Sequence, residues 1–258
     1  MEESFYVTVS SNVNTDYFPD NKLTHFFNRL QTPLNLHNQK WVVGLAEIQC
    51  PFNWKDVQEG ECYCTLLNVN SLLKETCYIS AGHYAKNRYI IHYLNDAITN
   101  LKDEDMRDNI FFKIDVVSGK VVVELPENIL ISFSPKLTRI LGFESTQPDK
   151  INSKYKGRDV MDINDGFHHL FVYTNLIEAR PVGDTIAPLL RIIPVLHAGG
   201  TVNKINSFNN VHYLPVKRQI FESVEIDIRD GTGDKIPFER GSILITLHFK
   251  FQNDSQRF

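Results

Sequence analysis

The four cysteines of the sequence lie close together and are the first residues to consider for metal chemistry. They are Cys50, Cys62, Cys64 and Cys77. Cys62 and Cys64 are separated by one residue, so on an extended strand both thiolates would lie on one face and could bind one ion. The spacing matches no common zinc pattern, however, and no histidine lies at a suitable offset. The pattern favours buried free thiols in a reducing intracellular compartment.

A second candidate group combines two histidines with nearby aspartates. His168 and His169 follow Asp162 and Asp165, which suggests a metal site or an acid–base site. If the histidines lie in a strand, their side chains point to opposite faces and cannot bind one ion together. The segment that ends at Gly166 is similar to part of a calcium loop, but it lacks the alternating ligands and the distal bidentate glutamate. A polar turn that enters a strand is therefore the favoured interpretation.

Three carboxylates form the last candidate group. Glu222, Glu225 and Asp227 are close in sequence, and the last two share a strand face with Arg229. Alternating charges of this kind are typical of a strand that faces solvent or an interface. The sequence also has no Walker loop, no HExxH and no GxSxG motif. We therefore predict no catalytic, cofactor-binding or metal-binding residue, no cofactor and no enzymatic activity, and the sequence identifies no interface residue.

Composition and charge argue against nucleic-acid binding and against a membrane span. The 258 residues include 27 basic and 31 acidic ones, for a net charge of −4, whereas phosphate binding needs a concentrated basic patch. The densest basic cluster lies between Asp149 and Asp159 and consists of Lys150, Lys154, Lys156 and Arg158. Flanking aspartates indicate a solvated loop. No apolar run approaches the ~18 residues of a membrane helix, and the first residues do not resemble a signal peptide, so we expect no secretion.

The elements that would position these groups are mostly strands. Alternation predicts eight of them, three before Pro51 and five after Asp165, at residues 5–9, 23–30, 41–48, 170–177, 189–195, 211–215, 223–229 and 242–251. Eight strands in two facing sheets are the number in a jelly roll. The segment 230–234 (DGTGD) predicts a turn or hairpin between the last two strands. Alternation also predicts ten residues buried between the sheets, namely Trp41, Val43, Leu45, Val224, Ile226, Ile228, Ile243, Ile245, Leu247 and Phe249.

The middle of the chain has a different pattern. Helical spacing of apolar residues predicts a helix over 86–101, and alternation around Ser118-Gly119 predicts a hairpin of residues 110–116 and 120–125. The segment 134–143 (SPKLTRILGF) has the N-cap serine, first-turn proline and C-terminal glycine of a short helix. We expect Leu137 and Leu141 of this helix to anchor the segment to the sandwich.

These patterns together predict a mainly β protein, a single jelly-roll β-sandwich with a small α+β insertion. We predict that residues 1–50 and 165–258 form the discontinuous sandwich and that residues 51–164 form the insertion.

Several strings of the sequence resemble the minor capsid, or penton, protein of Polinton/Maverick-type elements and related adintovirus-like viruses. They are FYVTVSSN at 5–12, YFPDNKL at 17–23, WVVGLAEIQCP at 41–51, SPKLTRILGF at 134–143, VGDTIAPLLRIIPV at 182–195 and GSILITLHFKF at 241–251. The resemblance implies a jelly-roll protein that forms homopentamers at the vertices of an icosahedral capsid. It also implies a double jelly-roll major capsid protein as partner and the virion capsid as location.

Two alternatives of other classes stay open at this point. Jelly rolls also occur as carbohydrate- or ligand-binding modules, for which Trp54 or Tyr63 would supply aromatic contacts. A cupin-like metalloenzyme would gather histidines inside the barrel. The nine histidines of the sequence lack the His-x-His arrangement followed by a glutamate that such a site requires.

Overall fold

The structure is a computed structural model that describes residues 4–13, 16–37, 40–84, 86–147, 154–195 and 203–252. It has two compact units. The sandwich unit consists of Met1–Trp54, Phe167–Leu196 and Thr201–Phe258, and the insertion unit consists of Lys55–Gly166 with His197–Gly200. That the two units are domains with boundaries at 50/51 and 164/165 stays a prediction.

The described part of the chain alternates strands with three helices. In chain order the elements are β1 (Ser4–Ser10), β2 (His25–Asn35), β3 (Trp41–Pro51), β4 (Tyr63–Asn68), β5 (Lys74–Tyr78), α1 (Asn87–Thr99), α2 (Glu104–Asn109), β6 (Phe111–Ile114), β7 (Val121–Glu124), β8 (Ile129–Phe133), α3 (Pro135–Leu141), β9 (Lys154–Lys156), β10 (His169–Thr174), β11 (Arg180–Val182), β12 (Thr185–Ala187), β13 (Leu189–Pro194), β14 (Asn203–Ser207), β15 (Leu214–Pro215), β16 (Ile220–Arg229) and β17 (Leu244–Phe251).

The sandwich unit is a jelly roll, as the alternation predicted. One sheet has the strand order β1-β17-β3-β14, with β15 also paired to β3, and the other has the order β13-β10-β16-β2. Every strand pair in both sheets is antiparallel. Except for β10 and β13, neighbouring strands in each sheet are distant in sequence, as in Greek-key connections. A short hairpin of β11 and β12 follows β10.

The core of the sandwich has the predicted register. Ile243, Ile245, Leu247 and Phe249 of the β17 segment are completely buried, and the other sheet contributes the equally buried Val224, Ile226 and Ile228. Val43 and Leu45 are also completely buried. The alternation therefore identified the inward face of three strands correctly.

Trp41 departs from the prediction because it is only half-buried. It forms the terminal pair of the β3–β17 ladder with Phe251. Its indole is tilted against Phe5 at a centroid distance of 5.3 Å and meets Phe251 edge-on at 6.1 Å. An aromatic residue at the end of a sheet has neighbours on fewer sides than one in the middle, which leaves part of the ring exposed.

Two details near the end of the chain also differ from expectation. The predicted strand at 211–215 is reduced to the two residues of β15, and most of the pairing along this edge of β3 is made by β14, which the sequence did not predict. The cause lies at Gly44, where an added Cβ would lie 2.5 Å from Cγ1 of Val211 and 2.6 Å from the carbonyl oxygen of His212. Residues 211–212 therefore cross closely over β3 and do not extend its ladder. Residues 230–234 form the predicted turn, but β16 and β17 belong to different sheets and do not form a hairpin.

The insertion unit contains two three-stranded sheets and three helices. The sheets have the orders β5-β4-β8 and β6-β7-β9. Helix α1 and the β6–β7 hairpin agree with the predicted segments. Helix α3 is capped at its start by Ser134, whose side chain accepts a hydrogen bond from the Leu137 amide, and at its end by Gly142 with φ 75°. The sequence therefore predicted both capping residues correctly.

The role expected of Leu137 and Leu141 was wrong. Both side chains are completely buried, but they lie in the core of the insertion unit and not in that of the sandwich. Phe143, directly after the helix, stacks on Phe133 of β8 at a centroid distance of 5.0 Å. The insertion therefore has enough apolar residues to bury the helix by itself.

Candidate functional site: exposed surfaces of the sandwich

The four cysteines are all free and buried. Burial raises the pKa of the Cys50 thiol to about 12 and that of Cys62 to about 11. Cys64 lies opposite Cys77 in the β4–β5 ladder. Across the described ranges no group of three or more His, Cys, Asp or Glu residues is arranged to hold a metal ion.

The histidines and aspartates near residue 165 have separate surroundings. His168 and His169 are exposed in the sandwich unit. In the insertion unit, Asp162 accepts hydrogen bonds from the amides of Asn164 and Gly166, which makes the predicted polar turn. The Arg139 guanidinium donates two hydrogen bonds to the Asp165 carboxylate, from Nε at 2.8 Å and from Nη2 at 2.7 Å. These contacts are those of a structural turn.

Two carboxylates of β16 lie beside nitrogen-bearing side chains, one in β2 and one in β16 itself. Glu225 lies 2.8 Å from Nε2 of His25, and Asp227 lies 2.7 Å from Nε of Arg229. Glu222 is exposed. Glu225, Asp227 and Arg229 line one side of an open cleft of about 510 Å³. The arrangement is the alternating charged face that the sequence predicted.

The basic cluster near residue 155 is neutralised by carboxylates of the insertion unit. Lys150 lies outside the described residues. The other members each have an acidic partner, in the pairs Lys154–Glu124 at 3.0 Å, Lys156–Asp115 at 3.2 Å and Arg158–Glu144 at 2.6 Å. The pKa of the Asp115 carboxyl is lowered to about 2. The largest cause is a hydrogen bond from the Ser118 amide, and the next is a hydrogen bond from Lys156. These cations therefore do not form an unpaired patch.

The aromatic residues considered for glycan binding are not presented as a binding platform. Trp54 is buried at 5% exposure and packs against Phe52, Phe167 and Phe238. Tyr63 is half-buried, with its ring 5.6 Å from that of Tyr78. A buried indole in the sandwich core cannot stack on a sugar, so Trp54 has a packing role.

The outward face of the β1-β17-β3-β14 sheet, which we call the outer sheet face, carries an aromatic cluster around His248. The exposed Tyr6 ring stacks on the imidazole at a centroid distance of 4.3 Å. Tyr213 Oη lies 2.7 Å from His248 Nδ1. Burial lowers the pKa of His248, and the nearby Lys250 lowers it further. The ring therefore favours its neutral form, as suits an aromatic stack.

The same face also carries two exposed aliphatic residues. Leu244 of β17 and Ile205 of β14 lie on either side of Gln49 in β3. Ile205 is 59% exposed and Leu244 is 37% exposed. Exposed aliphatic and aromatic side chains grouped on one face are typical of a protein–protein contact surface.

A second surface, which we call the cleft patch and which combines apolar and charged residues, lies elsewhere in the sandwich unit. A cleft of about 670 Å³ is lined on its aliphatic part by Pro33, Leu176, Ile177, Ala179, Pro188 and Ile220, and its polar lining includes Lys217, Arg218, Glu222 and Glu225. Ile220 is 61% exposed although it belongs to β16. Ala179 and Pro188 lie at the two ends of the β11–β12 hairpin, where Ile186 is 71% exposed. The sandwich thus presents two different surfaces that each carry exposed apolar residues.

The sequence alone did not identify either surface. Both combine residues that are distant along the chain, such as Tyr6 with His248 and Pro33 with Ile220. The alternation of β1, with Tyr6 on the face opposite to the inward residues, was a visible sign that this tyrosine faces outward.

Within the described residues no helix is both long enough and apolar enough to cross a membrane.

Comparison with known proteins gives matches in structure but not in sequence. No protein-family model matches the chain, and no curated protein sequence matches it. The fold is similar to that of the mavirus penton protein, with a TM-score of 0.54 at 10% identity over 97% of this chain and 100% of that one. It is also similar to a chain in a cryo-EM structure of the Sputnik virophage, with a TM-score of 0.51 at 10% identity over the whole of both chains. At this identity the similarity establishes a shared fold, and that fold is the one that the penton-like strings of the sequence implied.

Proposed function

We propose that this protein is a structural, non-enzymatic penton subunit, which assembles as a homopentamer at the vertices of an icosahedral viral capsid. The observation that carries the proposal is the extent of the structural similarity. The match to the mavirus penton protein covers 97% of this chain and the whole of the other, so it includes the insertion as well as the jelly roll. A jelly roll by itself occurs in proteins of many functions. A similarity that also includes the insertion is therefore more specific than a similarity between jelly rolls alone.

The surfaces of the sandwich support ring formation. A closed ring of identical subunits needs a head-to-tail interface, in which two different patches of each subunit meet. The outer sheet face, with Ile205 and Leu244, and the cleft patch, with Ile220, are two such surfaces. We propose that they lie at the interfaces with neighbouring subunits, and that a stable contact would bury roughly 1,200–2,000 Å².

Charge does not oppose such an assembly. The net charge of −4 per chain is small. At physiological ionic strength, repulsion between exposed charges more than about 8 Å apart is largely screened. The expected neighbour outside the pentamer is a double jelly-roll major capsid protein, as the sequence resemblance implied. We propose the virion capsid as the location and no direct contact with nucleic acid.

The first experiment co-expresses the protein with the major capsid protein and images the resulting particles by cryo-EM. We expect density for the jelly roll and its insertion at every fivefold vertex. Closed shells whose vertices lack this chain would refute the penton assignment. Native mass spectrometry of the isolated chain then tests the oligomer, since a pentamer has about five times the monomer mass of 29.8 kDa.

A pair of matched variants tests the surfaces. Ile220→Asp places a charge in the cleft patch, and Ile205→Asp does the same on the outer sheet face. We expect each variant to lower pentamer yield or vertex occupancy at least tenfold, because replacing an exposed apolar side chain at a contact by a carboxylate adds a group that is costly to desolvate. Val116→Asp is the control, since Val116 is 97% exposed in a turn of the insertion unit. Normal incorporation of both test variants would exclude these two patches as interfaces.

A further inference from the structure

The insertion unit contains two cysteines that face each other across a strand pair. Cys64 of β4 and Cys77 of β5 are directly opposite in the antiparallel register. Opposed residues in such a pair have Cα atoms roughly 4.5 or 5.5 Å apart, and both values lie within the range of about 4.4–6.8 Å found in disulfides. Both side chains point into the core of the insertion, with 0% and 4% exposure. The backbone therefore already holds the two sulfur atoms as neighbours.

The two thiols differ in their tendency to ionise. The Cys64 thiol donates a hydrogen bond to the Cys77 sulfur, which lowers the pKa of Cys77 and raises that of Cys64. The other two cysteines are held protonated, because burial raises the pKa of Cys62 to about 11 and that of Cys50 to about 12. The thiolate is the nucleophile in thiol–disulfide exchange, so Cys77 is the preferred attacking group of the four.

Strand β5 provides the route of access to this pair. It is an edge strand of the β5-β4-β8 sheet and pairs on one side only. The turn that connects it to β4 is exposed, with Leu72 at 78% exposure and a positive φ of 56°. Strands at an edge next to an exposed turn open locally at less cost than central strands. Such an opening exposes Cys77 to a small oxidant.

We propose that Cys64 and Cys77 are a redox-modification site, which forms an intrachain disulfide when the protein meets a low-molecular-weight disulfide such as oxidised glutathione. The Cys77 thiolate attacks one sulfur of the oxidant, forms a mixed disulfide and releases one glutathione thiol. Cys64 then loses its proton and attacks the Cys77 sulfur, which breaks the mixed disulfide and releases a second glutathione thiol. The two protein thiols together lose two electrons and two protons. The oxidised glutathione accepts the electrons, and each of the two released glutathione thiols carries one of the protons.

The bond would tie the edge strand of the insertion to its neighbour. A cross-link of this kind restricts the unfolded chain and so stabilises the folded state. The effect would be absent in a reducing compartment, where the thiols stay free. This inference does not depend on the proposed capsid role, since it concerns the isolated chain.

The test incubates the purified full-length protein with oxidised glutathione, blocks free thiols with N-ethylmaleimide and maps the peptides by mass spectrometry. We expect a Cys64–Cys77 cross-linked peptide, the loss of two hydrogen atoms from the whole chain, and alkylated Cys50 and Cys62 after denaturation. The melting temperature should rise on oxidation and return on addition of a reductant.

Cys62 is the matched control, because it lies on the same buried face two residues from Cys64. Cys62→Ser should keep the disulfide, whereas Cys77→Ser should abolish both the cross-link and the rise in melting temperature. A cross-link through Cys62, a disulfide between two chains, or a fully alkylated Cys64 and Cys77 would each overturn the proposal. Because the wild-type peptide map decides the pairing by itself, the conclusion does not require every variant to fold.

Discussion

Replacement of Leu247 by alanine tests the sandwich core most directly. Leu247 lies in β17, opposite Val7 of β1 on one side and Leu45 of β3 on the other. Its side chain is completely buried between the two sheets. The substitution removes apolar contacts and leaves a cavity that the neighbouring strands can only partly close. We therefore expect a loss of about 2–5 kcal/mol in the free energy of unfolding.

Tryptophan fluorescence during urea unfolding is a suitable assay, because both tryptophans of the chain, Trp41 and Trp54, belong to the sandwich unit. The signal therefore reports the unfolding of that unit and not of the insertion. The same energy corresponds to a decrease in melting temperature of about 4–20 °C.

Thr246→Ala is the control, since this neighbour of Leu247 faces the opposite side of the sheet. Its hydroxyl lies 3.4 Å from that of Thr8 on the exposed surface. Loss of such a cross-strand pair costs roughly 0.2–1 kcal/mol. A slip of one residue in the register would exchange the two faces. If Thr246→Ala proves as damaging as Leu247→Ala, or if Leu247→Ala costs well under 1 kcal/mol, the inward register of β17 is wrong.

Three further predictions concern the insertion unit and the aromatic cluster. Leu141→Ala should destabilise the insertion by about 2–5 kcal/mol, which hydrogen exchange would measure. An unchanged tryptophan transition in this variant would support the prediction that the insertion is a separate domain. Gly142→Ala should lower the free energy of unfolding by about 1–3 kcal/mol and by more than Gly60→Ala does. Both positions have positive φ, but only at Gly142 would a Cβ collide with the carbonyl oxygen of Asp159. Equal losses for the two variants in chemical denaturation would contradict this collision. The lowered pKa of His248 means that the unfolded chain binds the proton more readily, so the urea midpoint of the sandwich should fall as pH decreases below about 6.5 and through the folded-state pKa. If the urea midpoint of His248→Gln falls with decreasing pH as steeply as that of the wild type, His248 is not the cause of this pH dependence.

Local sequence patterns were sufficient for much of the fold. The alternation of β16 and β17 identified the inward residues because a strand places successive side chains on opposite faces. The signals around Ser134 and Gly142 defined α3, since capping depends on side chains adjacent to the helix. The turn at Ser118-Gly119 is of the same kind, as Gly119 adopts the positive φ of 68° that the turn needs. All of these features depend on residues within a few positions of one another.

The tertiary structure alone determined which strand occupies the edge of the sheet next to β3. Strand β14 is half-exposed and mostly polar, so it has no strong alternation, and its position depends on pairing with β3. The sequence predicted a strand at the more apolar segment 211–215 and none at 203–207, yet Gly44 lets residues 211–212 cross over β3 at close range. Pairing between distant segments cannot be derived from local periodicity.

The candidate surfaces depend on the fold in the same way. Tyr6 and His248 lie at opposite ends of the sequence and meet only because β1 and β17 are neighbours in one sheet. The sequence by itself determined which residues alternate, turn and cap, and that no known catalytic motif is present. The tertiary structure determined that Leu137 and Leu141 pack in the insertion's own core and that residues from distant segments share two exposed surfaces, because burial and surface grouping depend on which distant segments come together.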